Sequence, residues 1–256
     1  MKILIGIPAR LASSRIEKKP LCRILGKPLI EHVYRRCMLS KYKDDVFIAV
    51  PEGDKELIDV VNEFSGRVIT TDKNREHKII RPGYRIIEAC KKLDLQDNDM
   101  VIVVQGDEPF IDSDMIDSVI ECKLNSKADI VHLIANCNED DYNNPDEIKV
   151  VIDKDNNSIY MSRSPIPCKK YSKDDVQLYK QMCIFSFDYR VGLELLELDV
   201  CPLENAEYIE MARAMYNGYK IKTVLTNTKT KSVDTEEDRV IAEKMMKDDK
   251  IYKKYK

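Results

Sequence analysis

Ile5-Gly6-Ile7-Pro8-Ala9-Arg10-Leu11-Ala12-Ser13-Ser14-Arg15-Ile16-Glu17-Lys18-Lys19-Pro20-Leu21 puts the end of an apolar run directly before a loop with three spaced cations. Lys2 to Ile7 leaves no room for a helix before Pro8, so its composition predicts a central strand of an α/β sheet. In open α/β sheets ligands sit beyond the carboxyl ends of the strands, which makes the loop leaving this strand a candidate ligand wall. Arg10, Arg15 and Lys19 would bring several guanidinium and ammonium donors together, a chemistry suited to a polyphosphate. Any one of them alone reads better as a solvated loop charge; their joint position after the first strand favours the ligand. The loop is neither a Walker motif, since no Gly-x-x-x-x-Gly-Lys-Ser/Thr occurs, nor a dinucleotide turn, since Gly6 and Gly26 are too far apart.

The rest of the chain supplies an α/β frame for that loop. With 256 residues, 43% of them hydrophobic, there is enough apolar material for one large domain with a small β-rich sublobe. The 42 basic and 45 acidic residues leave a net charge of -3, which argues against nucleic acid as the main partner. The N-terminal apolar run is too short for a signal and no run approaches membrane-spanning length, so the expected location is cytoplasmic with no membrane insertion. Eight cysteines stand singly without a Cys-x-x-Cys pair, and the three histidines are far apart. Reduced buried thiols and structural imidazoles are the plain reading.

Repeating units follow: a helix from Pro28 to Leu39, strands at 46–50, 68–71 and 100–105, and helices at 54–64 and 84–93. This alternation predicts a mostly parallel sheet covered on both faces. The strand Met100-Val101-Ile102-Val103-Val104 is apolar throughout and delivers Gln105-Gly106-Asp107-Glu108-Pro109 to the same edge as the entry loop. There Asp107 would hold magnesium beside a triphosphate, or would merely stop the strand in a Gly-Asp turn; on local grounds the two readings are equal. A helix over 112–126 and a strand over 128–135 come next. The runs 148–152 and 158–162, split by Asp155-Asn156-Asn157, predict a hairpin. Beyond a strand at 182–187 and a helix at 189–196, one helix is expected from Pro202 to Tyr216, with Glu207, Glu210 and Arg213 on a shared face. Thr235 and Asp238 form a capping box for the last helix, and the tail 247–256 reads as solvated.

Four ordered motifs carry a resemblance to the cytidylyltransferases that activate 3-deoxy-manno-octulosonate (Kdo) and related sugar acids. They are the entry loop, Gln105-Gly106-Asp107-Glu108-Pro109, Ser162-Arg163-Ser164-Pro165-Ile166-Pro167 and Val233-Asp234-Thr235. The resemblance runs from Ile5 to about Glu243. It implies a Rossmann-like nucleotide-diphospho-sugar transferase fold with a β-hairpin dimerisation arm over about 146–190, and a homodimer. It further implies that Pro8, Ala9, Arg10, Ser13, Arg15, Lys19, His77 and Arg85 bind CTP, and that Asp107 and Asp234 hold Mg2+. Gln105, Arg163, Gln181 and Glu210 would face the acidic sugar; Arg10, Arg15, Lys19 and Asp107 would act in catalysis. For Arg163 the alternative is a sheet-edge cation that limits aggregation.

Two segments depart from the family pattern. Its His-x-Ser-Gly-Thr-Asp/Glu-Arg becomes His77-Lys78-Ile79-Ile80-Arg81-Pro82-Gly83-Tyr84-Arg85, keeping His77 and Arg85 with two extra residues between them. Its His-Leu-Gly-Ile-Tyr becomes Gln181-Met182-Cys183-Ile184-Phe185. The expected reaction is transfer of CMP to the acid's hydroxyl with a changed acceptor pocket. Transfer to another acid, such as a phosphonate or a modified octulosonate, and a non-catalytic nucleotide-binding homologue are the alternatives.

Overall fold

The computed structural model describes residues 1–13, 15–72, 81–171 and 176–256. Its centre is β1 (Ile3–Pro8), flanked in parallel by β4 (Asp45–Pro51) and β6 (Met100–Val104). All three are buried along nearly their whole length, as expected for Val- and Ile-rich strands covered on both faces. Outside β4 lies β5 (Val68–Thr71), again parallel. On the other flank β10 (Tyr179–Asp188) runs antiparallel between β6 and β7 (Ile130–Asn136), and β11 (Ile221–Thr226) pairs in parallel with β7. Among the described residues the hairpin of β8 (Lys149–Ile152) and β9 (Ser158–Ser162) joins this sheet through Tyr179 and Lys180 at the start of β10. The mostly parallel sheet expected from the alternation is therefore present.

Alternation along the strands feeds two cores. Ile5, Ile7, Ile48 and Ile102 face α1 (Leu29–Cys37) and α4 (Ser113–Leu124), while Leu4, Phe47, Val101 and Phe185 face α3 (Pro82–Cys90) and α6 (Tyr189–Glu197). Helix α3 sits so close to β1 that a Cβ at Gly6 would come within 2.6 Å of Ile86 Cγ2. Among the described residues the other α-helices are α2 (Lys55–Glu63), α5 (Glu139–Asn143), α7 (Pro202–Glu207), α8 (Met211–Tyr216) and α9 (Glu236–Asp248), and a small antiparallel ribbon of β2 (Arg23–Ile24) and β3 (Lys27–Pro28) precedes α1. A third apolar cluster, with Ile16, Leu29, Phe110, Val233 and Met246, fastens the entry loop to α9.

Two expectations fail. The single helix over 202–216 is broken: Tyr208 takes a left-handed conformation (φ 55) and its N–H caps α7 on the Glu204 carbonyl at 2.9 Å. Consequently Glu207, Glu210 and Arg213 do not form one salt-bridged exterior. Glu207 holds Ser162 Oγ at 2.7 Å and Arg213 holds Glu204 at 2.6 Å, both tertiary contacts that override helical continuity. The tail is docked rather than solvated. Arg36, buried, donates to Asp249 at 2.7 Å and to the Tyr255 hydroxyl at 3.1 Å. Burial pushes His32 down to about 4, so its ring is neutral at pH 7. Its Nε2 faces the Ile24 carbonyl at 2.9 Å and must carry the proton, which leaves Nδ1 to accept from Tyr255 at 3.1 Å. Tyr255→Phe strands both partners and should lower unfolding free energy by about 1–2 kcal/mol, as measured by urea denaturation.

Candidate active site

Because β1 and β6 are parallel and adjacent, both empty at the same sheet edge. Gly106 is needed there: a Cβ would lie 2.9 Å from the Pro8 carbonyl. From β1 the loop is carried outward by two anchors. Leu11 N–H donates to Asp54 at 2.6 Å, and Lys18, with φ 50, pairs with Glu56 at 2.6 Å. A 3-10 turn over Lys19–Leu21 then aims Lys19 back at the edge. The resulting cleft, of about 640 Å3, is lined by Pro8, Ala9, Arg10, Ser13, Arg15, Lys19, Arg85, Gln105 and Asp107 among others.

One ammonium organises its floor. Lys19 Nζ donates to Asp107 Oδ2 at 2.6 Å and to Asp234 Oδ1 at 2.8 Å, and Arg15 Nη2 reaches that same Asp234 oxygen at 2.8 Å. Burial alone would pull the Lys19 pKa down; the two carboxylates overcome it and hold it above the ordinary value. Asp107 is tied to the C-terminal segment a second time, its carbonyl accepting from Val233 N–H at 3.0 Å. Asp234 is fixed by the capping box read from the sequence: Asp238 accepts from Asp234 N–H at 3.1 Å and Thr235 N–H at 2.9 Å. The cap and the placement of Asp234 are thus one device.

The donor set fits a hard dication. Asp107 Oδ1 is buried and lacks a hydrogen-bond partner among the described residues, an orphaned anionic oxygen in a polar cleft. Among the described residues no cluster of three or more His, Cys, Asp or Glu side chains is built for a metal. Two carboxylates whose remaining partners come from phosphates and water is the habit of Mg2+ rather than zinc.

The other candidates are placed as follows. Arg85, buried beneath the cleft, donates to Thr71 at 3.0 Å. Glu210 lies at the start of α3, accepting from Gly83 N–H at 3.0 Å; burial raises its carboxyl to about 7 against the pull of that N–H and of Arg81. Gln181 lies at an irregularity of β10, where the register with β7 shifts before Phe185, and its Oε1 is buried without a partner among the described residues. Arg163 is absent from the cleft lining, and its guanidinium is spent on main-chain carbonyls: Glu207 at 2.8 Å, Pro145 at 3.0 Å and Asp146 at 3.2 Å. In this arrangement it ties α7 to the hairpin base. His77 lies outside the described residues.

A sequence model of the family described as Cytidylyltransferase matches residues 4–223. The chain belongs to the cytidylyltransferase family. The 3-deoxy-manno-octulosonate cytidylyltransferase of Thermodesulfovibrio yellowstonii is 38% identical to this cytidylyltransferase, over 96% of the chain and 98% of the relative. The 8-amino-3,8-dideoxy-manno-octulosonate cytidylyltransferase of Shewanella pealeana is 35% identical over 95% of the chain and 98% of its own length. A solved structure named CMP:2-keto-3-deoxy-manno-octonic acid synthetase complexed with CTP superposes with a TM-score of 0.88 at 28% identity, covering 96% of the chain and 99% of that structure. The expected nucleotide-diphospho-sugar transferase fold accords with that match.

Sequence reading assigned nothing to Glu108, though it lies inside the Gln-Gly-Asp-Glu-Pro motif. Burial, reinforced by the neighbouring Asp107 charge, raises its carboxyl to about 8, against a hydrogen bond from Cys183. An apolar strand ending in paired acids was the available signal. Because the folded pKa exceeds the unfolded one of 4.5, the folded state holds an extra proton between these values, and stability falls as pH rises from about 4.5 to 8. Glu108→Gln should remove that slope, raising stability above wild type at pH 8 while leaving pH 4 almost unchanged, read by chemical denaturation across pH.

Proposed function

We propose that this cytidylyltransferase transfers CMP from CTP to the hydroxyl of an acidic sugar, Kdo or a related 3-deoxy-2-ulosonic acid, with release of pyrophosphate. The observation that carries the reading is the convergence of Arg15, Lys19, Asp107 and Asp234 on one cleft, from segments far apart in the chain. The relatives named for Kdo and its 8-amino form support the acceptor class.

The acceptor oxygen forms a new bond to the α-phosphorus while the bond from that phosphorus to the pyrophosphate bridging oxygen breaks; the hydroxyl proton passes to water. Arg10, Arg15 and Lys19 line the cleft where the β- and γ-phosphates would lie and offset the charge growing on the leaving group. Asp107 and Asp234 would hold Mg2+, which when bound supplies a Lewis acid that lowers the hydroxyl pKa and neutralises phosphate charge. Arg85 lines the cleft beside the nucleotide and Gln105 lines it toward the acceptor; Glu210, which accepts from Gly83 N–H at the N-terminus of α3, is not among the lining residues. We infer that two copies pair through the β8–β9 arm, where Ile159 is exposed.

An acceptor panel with each of the four nucleoside triphosphates, read by pyrophosphate release with Mg2+, tests this reading. CTP with Kdo or 8-amino-Kdo should turn over; turnover with neither refutes it. Asp107→Asn and Asp234→Asn should each lower kcat by roughly 100-fold or more, with thermal unfolding changed by only a few degrees.

A further inference from the structure

We propose that Lys19, assisted by Arg15, is a resident counter-ion for the Asp107–Asp234 pair and makes metal binding conditional on the nucleotide. This rests on the reading of those two aspartates as the metal-holding groups and adds the role of the cations that already occupy them.

The argument begins with charge. Two cations and two carboxylates meet within hydrogen-bonding distance, so the quartet is neutral and exerts little pull on a dication in solution. Its bonds are also specific. Asp234 Oδ1 takes both Lys19 Nζ and Arg15 Nη2 at 2.8 Å, and Asp107 Oδ2 takes the same ammonium at 2.6 Å. A dication seeking both aspartates must therefore displace Lys19 or share an oxygen with it. Lys19 and the two carboxylates are all partly buried, where like-charge repulsion is screened less than in bulk water.

A triphosphate lifts that obstacle. Arg15 and Lys19 line the same cleft as Arg10, so phosphate oxygens entering it offer the cations a second set of anionic partners. The lysine stem is flexible and its three donors are not committed to one plane, so the ammonium can turn from carboxylate to phosphate without moving the backbone. The vacated carboxylate oxygens join Asp107 Oδ1, which has no hydrogen-bond partner among the described residues, as donors for the ion. Linkage makes the coupling reciprocal: whatever factor the nucleotide adds to metal affinity, the metal adds to nucleotide affinity.

The experiment uses the full chain and Mn2+ as probe, with free Mn2+ followed by electron paramagnetic resonance, with and without CTP and in the absence of acceptor. Asp107→Asn serves as the reference for Mn2+ carried by CTP alone. Wild-type protein should bind Mn2+ weakly by itself and at least about tenfold more tightly with CTP. Lys19→Met should bind Mn2+ about tenfold more tightly than wild type without nucleotide and lose most of the CTP-dependent gain. Lys19→Arg, which keeps the charge, should restore the weak binding. If thermal unfolding shows that Lys19→Met does not fold, Arg15→Met, at the more exposed cation, gives a smaller change in the same direction. Mn2+ binding no tighter in the folded uncharged variants than in wild type overturns the proposal, even if CTP promotes metal binding. No Mn2+ bound by wild type above the Asp107→Asn reference, even with CTP, overturns the metal reading on which it rests.

Discussion

A single ammonium joins three distant parts of the chain: Lys19 bonds to Asp107, 88 positions away, and to Asp234, 215 positions away. That contact is possible only because β1 and β6 are parallel neighbours whose exits share an edge, and because the third apolar cluster pulls the start of α9 over the entry loop. The apolar and ionic contacts divide the work. Burial of Ile16, Leu29, Phe110, Val233 and Met246 supplies the bulk of the attachment, at roughly 25 cal/mol for each Å2 of apolar surface removed from water. The ion pairs contribute direction more than stability, since partly exposed pairs are worth little by themselves.

Much of this was legible because the relevant signals are local. Ile3–Pro8 and Met100–Val104 are uninterrupted apolar runs bounded by a proline and a Gln-Gly pair, and such runs in a chain of this kind have few places to go but the sheet centre. The cations of the entry loop and Asp107 inherit their positions from those strands. Asp234 is legible through the Val233-Asp234-Thr235 resemblance and from its place beside the Thr235–Asp238 capping box, whereas its partnership with Lys19 follows from tertiary packing that no spacing encodes. The docked tail was hidden for a similar reason. Lys-rich termini read as solvated, yet Tyr252 and Tyr255 pack their rings on His32, at 5.6 and 5.9 Å between centroids.

The broken helix at Tyr208 shows tertiary demand overruling local preference. A bulky residue at φ 55 is unfavourable by about 1–2 kcal/mol, and nothing in Pro202–Tyr216 announces it. The compensation comes from contacts between α7, α8 and the start of α3. Arg81 stacks on the Tyr208 ring at 3.4 Å and reaches Glu204 at 3.3 Å, while Arg213 stacks on Tyr84 at 4.3 Å and also grips Glu204. One buried carboxylate thus serves two guanidinium groups, each lying over an aromatic face. Removing Glu204 would leave both guanidinium groups without their carboxylate, so Arg81, Glu204 and Arg213 act as one unit. Through the break, Glu210 arrives at the first turn of α3 instead of continuing round a helix.

Lys149 points to a different property of the hairpin. Its ammonium is fully buried, with its donors on the carbonyls of Asn144, Glu147 and Arg163 at 2.7, 2.7 and 2.6 Å, so the base of β8–β9 closes on an amine rather than on a hydrophobic plug. Burial also draws its pKa below the ordinary lysine value. An amine in that position is shielded from acylating reagents while the hairpin is seated, and regains the reactivity of an ordinary lysine when it lifts. The arm therefore carries its own chemical reporter: the rate at which this one lysine is labelled measures how often the base comes open.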